Sequence, residues 1–338
     1  MRLVKRLYSI QYVLLAVVLL STLLVALAAW HVHSQDDLQP AAQKATLPVV
    51  VSDTKITNRK LNSALYEWRD FRNLQTPDYA AKLDTLSKQG FNTIFVSVDA
   101  YNPVGSPELN TGLLQMLDAY RQLCAQHGFT VQALAGDKDW SLPDKRYRLQ
   151  DMVAGVAAYN AAYPDRKITQ LQFDVESYNL PEYTANRQQI LQYFMQTVSS
   201  AMQQAQVNGF AAGFALPFWF DEAGENVESL NFNGKTAYPT QHVLDTAQQY
   251  GGFVVIMAYR TQLDGEDGIV AHTKTELAYA RSKPNASIYI AQEVSNVEPA
   301  KITYYSQGIG PLLRNINLLN QTTQANYKGV VVNDLASM

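Results

Sequence analysis

The stretch "ITQLQFDVESYNLPEY", residues 168–183, joins an alternating apolar run to two carboxylates, Asp174 and Glu176. Side chains two apart in a strand point to the same side, so the pattern predicts a strand that carries both acids on one face. The run then breaks into a polar, aromatic loop. Because two carboxyl groups at close range cannot both ionise freely, one of them is expected to hold its proton to a higher pH than usual.

Short apolar runs recur along the chain and alternate with longer amphipathic segments. Eight strands are predicted, at residues 63–68, 92–98, 129–135, 168–175, 209–216, 253–259, 287–292 and 328–333. Helices are predicted after every strand but the last, at residues 76–90, 111–128, 146–163, 186–207, 240–250, 272–283 and 311–324. Eight strand–helix units in about 275 residues predict the α/β class and a closed (β/α)8 TIM barrel. An open doubly wound sheet is the alternative, although no G-x-G-x-x-G loop follows any strand.

The N-terminus carries a targeting signal. Arg2, Lys5 and Arg6 precede an uncharged apolar run, residues 12–29, of about the length that crosses a hydrocarbon core. Basic residues ahead of the run predict a cytoplasmic N-terminus and an exported remainder. The segment is either a retained transmembrane anchor, which its length favours, or a signal peptide cleaved near Ala26-Leu27-Ala28. Both predict that the rest of the chain faces the periplasm or the cell exterior.

Three domains are predicted: a signal anchor at 1–30, an extracytoplasmic linker at 31–60 and the barrel at 61–338. The linker is polar except for one apolar patch, "LPVVV" at 47–51. Since no helix is predicted after the eighth strand, a strand or helix of the linker is a candidate to cover that side of the barrel.

Composition excludes several classes of function. A net charge of −3 without a basic stripe argues against a nucleic-acid partner. The single cysteine, Cys124, excludes an intramolecular disulfide framework and a thiolate zinc site, and its spacing predicts a core position on a helix. None of the five histidines falls at a strand end, so no metal site, Ser-His-Asp triad or cofactor is predicted.

Acidic and aromatic residues cluster at the predicted carboxyl ends of the strands, where barrel enzymes build their active sites. The three tryptophans beyond the anchor region, Trp68, Trp140 and Trp219, all fall there. Flat aromatic faces stack on sugar rings, and glycosidic cleavage needs two carboxyl groups with different roles. The pattern predicts a carbohydrate site in which the charge of Asp174 keeps Glu176 protonated as a general acid.

Two strand ends resemble motifs of family-18 chitinase-like barrels. That family carries D-x-x-D-x-D-x-E at strand four, and Asp174-Val175-Glu176 matches its last D-x-E. It carries M-x-Y-D at strand six, where Met257-Ala258-Tyr259 matches and Arg260 replaces the aspartate. The resemblance implies that Glu176 is the general acid and that Asp174 and Tyr259 position an N-acetyl group of the substrate.

Other glycosidase barrels share parts of this pattern. The D-x-E is similar to that of family-25 lysozyme-like barrels. A large clan of retaining glycosidases carries its acid/base on strand four and its nucleophile on strand seven, which implies Glu176 and Glu293 for these roles. The ordered set "FDVE", "LPFWFD", "VIMAYR", "AQE" and "GVVVND" resembles a little-characterised group of bacterial chitinase-like barrel proteins over nearly the whole soluble domain.

The sequence thus predicts a membrane-tethered, extracytoplasmic glycoside hydrolase-like domain that cleaves a polysaccharide, with an oligosaccharide or polysaccharide as its partner. Glu176 is predicted as general acid/base, Asp174 as its tuning group and Glu293 as nucleophile or second carboxylate. The predicted substrate-binding residues are Tyr259, Arg260, Trp68, Trp219, Asp99 and Asp334. The alternatives are a non-catalytic carbohydrate-binding barrel and an envelope scaffold in which strand-end acids pair with Arg69 and Arg260.

Overall fold

Eight parallel strands close into a barrel in the computed structural model, which describes residues 61–99, 111–322 and 324–338. Each strand pairs with the next, and the last pairs with the first, so that Ala64 lies opposite Val331. The barrel strands are β1 (Asn62–Glu67), β2 (Thr93–Ser97), β3 (Thr130–Ala135), β4 (Gln170–Phe173), β5 (Ala211–Pro217), β6 (Phe253–Met257), β7 (Ser287–Glu293) and β8 (Tyr327–Asn333). The predicted barrel and its strand order are confirmed.

Seven α-helices follow β1 to β7 within the described ranges. They are α1 (Pro77–Lys88), α2 (Thr111–Gln126), α3 (Tyr147–Ala162), α4 (Arg187–Val207), α5 (Pro239–Tyr250), α6 (Lys274–Ala280) and α7 (Ile309–Leu319). Thr76 caps α1 by accepting a hydrogen bond from the backbone N–H of Tyr79, with Pro77 in the first turn. After β8 the described chain forms only a short 3-10 turn, Leu335–Ser337.

One small element was not predicted. Residues 230–232 and 235–237 form a two-stranded antiparallel hairpin between β5 and α5. Its strands have three residues each, too few for an alternating pattern to stand out from loop sequence.

The alternation of side chains along each strand separates two cores. On β1, Leu65 packs outward against the helices, whereas Ala64 and Tyr66 point into the barrel. Cys124 belongs to the outer core, as its helical spacing predicted. The inner core is built from Ala64, Tyr66, Phe95, Leu134, Ala215, Phe253, Val255, Met257, Tyr289, Ala291 and Val331. Side chains therefore fill the barrel, and a ligand site has to lie at one of its ends.

The amino ends of the strands are closed by a polar group. The hydroxyl of Tyr289 accepts hydrogen bonds from Gln170 Nε2 at 2.9 Å and from Asn62 Nδ2 at 3.3 Å. The opposite end, where the strands reach their carboxyl termini, carries the acidic and aromatic residues that the sequence singles out.

The predicted anchor and the linker lie outside the described residues. Within the part of the chain that the structure describes, no helix combines the length and the apolar character needed to cross a membrane.

Candidate active site

The end of β4 places Asp174 and Glu176 just beyond the last ladder residue, Phe173. The backbone N–H of Asp174 still bonds to the carbonyl of Ala135 on β3, at 2.9 Å, so this residue stays aligned with the sheet. Gly136 packs directly against it: a Cβ on Gly136 would lie 2.3 Å from the Asp174 carbonyl oxygen. With a φ of +154° as well, this position accepts only glycine.

The carboxyl group of Asp174 is shaped by its burial and by its neighbour Glu176. Burial first, and then the charge of Glu176, raises the pKa of Asp174 from its ordinary 3.8 to about 7. Its Oδ1 atom is buried and has no hydrogen-bond partner among the described residues. The two carboxyl groups interact, as their spacing predicted, and burial contributes more than the charge of Glu176 to the raised pKa of Asp174.

Glu176 is held from two sides by residues of its own loop. The hydroxyl of Tyr178 donates to its Oε1 atom, and Asn179 Nδ2 donates to its Oε2 atom at 2.9 Å. The ring of Tyr178 is in turn packed edge-on against Trp219, at 5.1 Å, and Phe220, at 5.6 Å between ring centroids. The loops after β4 and β5 together therefore fix the orientation of this carboxylate.

Two tyrosines join this carboxyl pair at the top of the inner core. Burial, followed by the charges of Asp174, Glu293 and Glu176, raises the pKa of Tyr259 well above its usual value. Burial and the charge of Asp174 do the same to the pKa of Tyr66, whose hydroxyl is buried without a partner in the described chain. The ends of β1, β4 and β6 thus bring Tyr66, Asp174 and Tyr259 together.

A second group forms where β7, β8 and β1 meet. Glu293 is 5 % exposed, and its carboxylate accepts from the backbone N–H of Ser295 and from Asn333 Nδ2, both at 2.6 Å. Asn333 Oδ1 accepts from Trp68 Nε1 at 3.0 Å, and the Trp68 ring lies 6.0 Å from that of Tyr66. Glu293 and Trp68 are therefore linked to the same site through Asn333.

Three predicted binding residues lie apart from this cluster. Arg260 donates to Asp267 at 2.6 Å and to the carbonyl of Tyr259 at 2.8 Å, with its guanidinium 4.9 Å from the ring of Phe218. This arginine is therefore engaged in a peripheral ion pair. Asp334 caps the last turn, because its Oδ1 accepts from the backbone N–H of Ser337 at 3.0 Å.

Asp99 is the third of them and lies at the ends of β2 and β3. Burial raises the pKa of Asp99 to about 6, and a hydrogen bond from the backbone N–H of Gly136 acts against that rise. The charge of Asp137 adds to the rise and that of Arg148 acts against it. Asp99 is therefore joined to the β3 loop at Gly136, the residue that packs against Asp174, and its Oδ1 atom is buried without a partner among the described residues.

Sequence reasoning missed one member of the site, Tyr66. Tyr66 lies two residues before Trp68, so the period of a strand places both on the inner face of β1. Tyr66 could have been found by reading the inward face of each strand rather than the residues just past its end. Asn333 and Asp334 both end the predicted eighth strand, and the structure shows that Asn333 is the one bound to Glu293 and Trp68.

The described residues include no group of three or more histidine, cysteine, aspartate or glutamate side chains arranged to hold a metal ion. The three described histidines are engaged elsewhere: His127 with Asp84, His272 with Asp267, and His242 with the carbonyl of Leu230. The chemistry that this arrangement offers is proton transfer and hydrogen bonding by carboxyl and phenol groups.

No family model and no curated protein matches the sequence. Solved structures of similar fold include a β-mannanase from the blue mussel Mytilus edulis, with 12% identity over 83% of this chain and 88% of that chain and a TM-score of 0.52. An exo-β-1,4-mannosidase from Opitutaceae bacterium strain TAV5 has 13% identity over 81% of this chain, a TM-score of 0.49 and 51% of its own length covered. A GH18 chitinase from Cycas revoluta, solved with (GlcNAc)3, has 12% identity, a TM-score of 0.49 and coverage of 82% and 96%.

The chain thus spans about half the length of the mannosidase and most of the other two proteins. GH18 chitinases and other TIM-barrel glycoside hydrolases are among its structural neighbours. At this identity the likeness to the mannanase establishes a shared (β/α)8 fold, and the function has to be argued from the site itself.

Proposed function

We propose that this barrel is a glycoside hydrolase-like enzyme that cleaves a polysaccharide, with Glu176 as its general acid/base. The observation that carries the proposal is the pair of buried, unpartnered oxygens, Asp174 Oδ1 and Tyr66 OH, in the same electrostatic cluster as Glu176. Buried polar atoms in proteins nearly always have a hydrogen-bond partner. A hydroxyl or amide group of a sugar bound at the carboxyl end of the barrel would supply the missing partners.

The roles follow from the environment of each group. Glu176, oriented by Tyr178 and Asn179, would deliver its proton to the glycosidic oxygen. Asp174 keeps its proton to about pH 7 and can donate a hydrogen bond to an acceptor of the substrate. Tyr259, with its raised pKa, remains a donor over the whole physiological range. An N-acetyl group offers the carbonyl acceptor and the amide donor that such a site can bind.

Glu293 has two possible roles in this scheme. As a nucleophile or second carboxylate it would act on the sugar directly, as the strand-seven position of other glycosidases suggests. Alternatively it positions Asn333 and, through it, Trp68, since both of its oxygens are already engaged. Azide rescue distinguishes the roles: Glu293→Gly regains turnover with azide if Glu293 is a nucleophile and does not if it is a positioning group. Inversion or retention at the anomeric carbon, followed by NMR, tests the mechanism independently.

Turnover of oligosaccharides tests the proposal. The full-length chain would be incubated with N-acetylated and neutral oligosaccharides beside Glu176→Gln and, as control, Glu182→Gln, an exposed glutamate of the same loop. We expect cleavage by the wild type and by Glu182→Gln, and a loss of at least about 100-fold in Glu176→Gln. Undiminished cleavage by Glu176→Gln would refute its assignment.

A non-catalytic carbohydrate-binding barrel is the second candidate, favoured by one observation. Both oxygens of Glu176 already accept hydrogen bonds from the protein. In that case the same panel would show binding by calorimetry without cleavage, and Trp219→Ala or Trp68→Ala would abolish the binding.

We also propose that the barrel works outside the cytoplasm, tethered by the apolar run 12–29. Its support is the sequence alone: basic residues followed by an apolar run of membrane-spanning length. Protease treatment of intact and permeabilised cells would test this. An exported, tethered barrel is cleaved once the outer barrier of the cell is opened, before the cytoplasmic membrane is, and it remains in the membrane fraction.

A further inference from the structure

A groove of about 310 Å³ lies between α1 and α7. These two helices flank the neighbouring strands β1 and β8, where in the described chain no eighth helix covers the barrel. The apolar part of its lining comes from Leu86, Val294, Tyr304, Ile309, Leu312 and Met338, and polar side chains of Lys82, Thr85, Gln89 and Ser337 lie beside them. The turn after β8 lies at one side of the groove, where Lys82 Nζ donates to the carbonyl of Ala336 at 3.2 Å, and the open part of the groove lies where an eighth helix of the repeat would pack.

The surface around this groove has two features of a binding surface. Tyr305, on its wall, is 57 % exposed, and Leu318 of α7 also projects into solvent. On the opposite wall, Gln89 Oε1 is buried and has no hydrogen-bond partner within the described residues. An apolar face beside an unsatisfied acceptor fits a peptide segment that supplies apolar side chains and a backbone N–H.

The chain itself provides such a segment. Sixty residues precede Leu61, and the one apolar patch of the predicted linker is "LPVVV", residues 47–51. The ten residues from Val51 to Leu61 can span about 33 Å when extended, whereas a seven-residue strand is only about 23 Å long. Asn62 begins β1, beside the groove. The connection from Val51 to Leu61 is therefore long enough for the patch to lie anywhere along the groove.

We propose that residues 47–51 of the same chain bind in the groove between α1 and α7 as an extended segment and take the place of the eighth helix. In an extended conformation Leu47, Val49 and Val51 share one face, which would pack on the groove, and a backbone N–H would bond to Gln89. The proposal does not depend on the catalytic one, because the groove lies outside the barrel and the site lies at its carboxyl end.

Disulfide trapping in the full-length chain tests the position of the segment. Val49→Cys would be combined with Thr85→Cys, an exposed groove residue, or with Val207→Cys on α4 as control. The native Cys124 is buried and does not compete. Equal amounts of 14N- and 15N-labelled chains are mixed, so that mass spectrometry separates bonds within a chain from bonds between chains.

We expect the Val49–Thr85 cysteine pair to form an intrachain disulfide at least tenfold faster than the control pair. Equal rates for the two pairs would overturn the proposal. If about half of the disulfide-linked peptide pairs combine 14N and 15N, the bonds form between chains; this would also overturn the proposal, since the groove would then bind a second copy.

Stability gives an independent measurement. Val49→Asp would place a charge against the apolar wall, and we expect the Tm of the full-length chain to fall by about 4 °C or more. Ala42→Asp adds the same charge to the linker outside the patch and serves as the control. A Tm for Val49→Asp equal to that of Ala42→Asp would contradict the proposal, whatever the activity of either variant.

Discussion

Replacing Asp174 by asparagine should make the protein more stable, and increasingly so as the pH rises. The rise of its pKa from 3.8 to about 7 in the folded chain means that the fold binds this proton more tightly than the unfolded chain does. Stability therefore falls with rising pH between about 4 and 7, because the unfolded chain is already ionised there while the folded chain pays to ionise. Asparagine carries no proton that titrates and removes this cost.

The size of the effect follows from the same pKa values. The pKa of Asp174 is 3.8 in the unfolded chain and about 7 in the folded chain. At a pH above both values, this difference lowers the free energy of unfolding by about 4 kcal/mol, at about 1.36 kcal/mol for each pKa unit. At pH 4.5 about 1 kcal/mol of this cost is already present, because most unfolded chains have lost the proton. Between pH 4.5 and 8.5, the advantage of Asp174→Asn over the wild type should therefore grow by about 3 kcal/mol.

Urea unfolding at pH 4.5, 6.5 and 8.5, followed by tryptophan fluorescence, measures this advantage. Asp264→Asn, at an exposed loop position, is the matched control and should follow the wild type at every pH. If the difference between Asp174→Asn and the wild type stays constant within about 0.5 kcal/mol, the burial and charge repulsion assigned to Asp174 are wrong.

Three further substitutions test other contacts of the site. Gly136→Ala should destabilise the fold by about 3 kcal/mol or more, since its Cβ would lie 2.3 Å from the carbonyl oxygen of Asp174; unchanged urea unfolding would contradict this close approach. Asn333→Ala should cost about 2 kcal/mol by removing a donor from the buried Glu293 carboxylate, and Asn333→Asp, measured at the same pH, should not restore it. Tyr178→Phe should lower kcat at least about tenfold while changing Tm little, because it removes the hydroxyl that orients the proposed acid; an unchanged kcat would show that this hydrogen bond does not matter for turnover.

Periodicity was sufficient to predict the barrel because each βα unit repeats the same local rule. Apolar runs such as 253–259 are nearly continuous, as expected for strands buried on both faces, and Thr76-Pro77 marks the start of α1 with an ordinary capping pattern. These signals lie within a few residues of the element that they define. The hairpin at 230–237 has no such signal and was missed.

The site was predictable only in part, because its members depend on contacts between distant residues. The strand ends correctly suggested which region Asp174, Glu176 and Tyr259 share. That Glu293 is bound by Asn333, and Arg260 by Asp267, depends on side-chain geometry across loops that no local pattern encodes. The raised pKa of Asp174 comes mainly from its burial, and sequence spacing does not show how deeply a side chain is buried.

The hydrogen bond from Trp68 to Asn333 joins residues that are 265 positions apart in the chain. It crosses the seam where β1 meets β8, so it cannot form until the last strand has been made and has closed the ring. A contact of such long range is among the last to be established during folding. One wall of the site therefore exists only in a completed barrel, and a chain that is still emerging, or that lacks its last strand, has Trp68 without the Asn333 side chain that accepts its indole N–H.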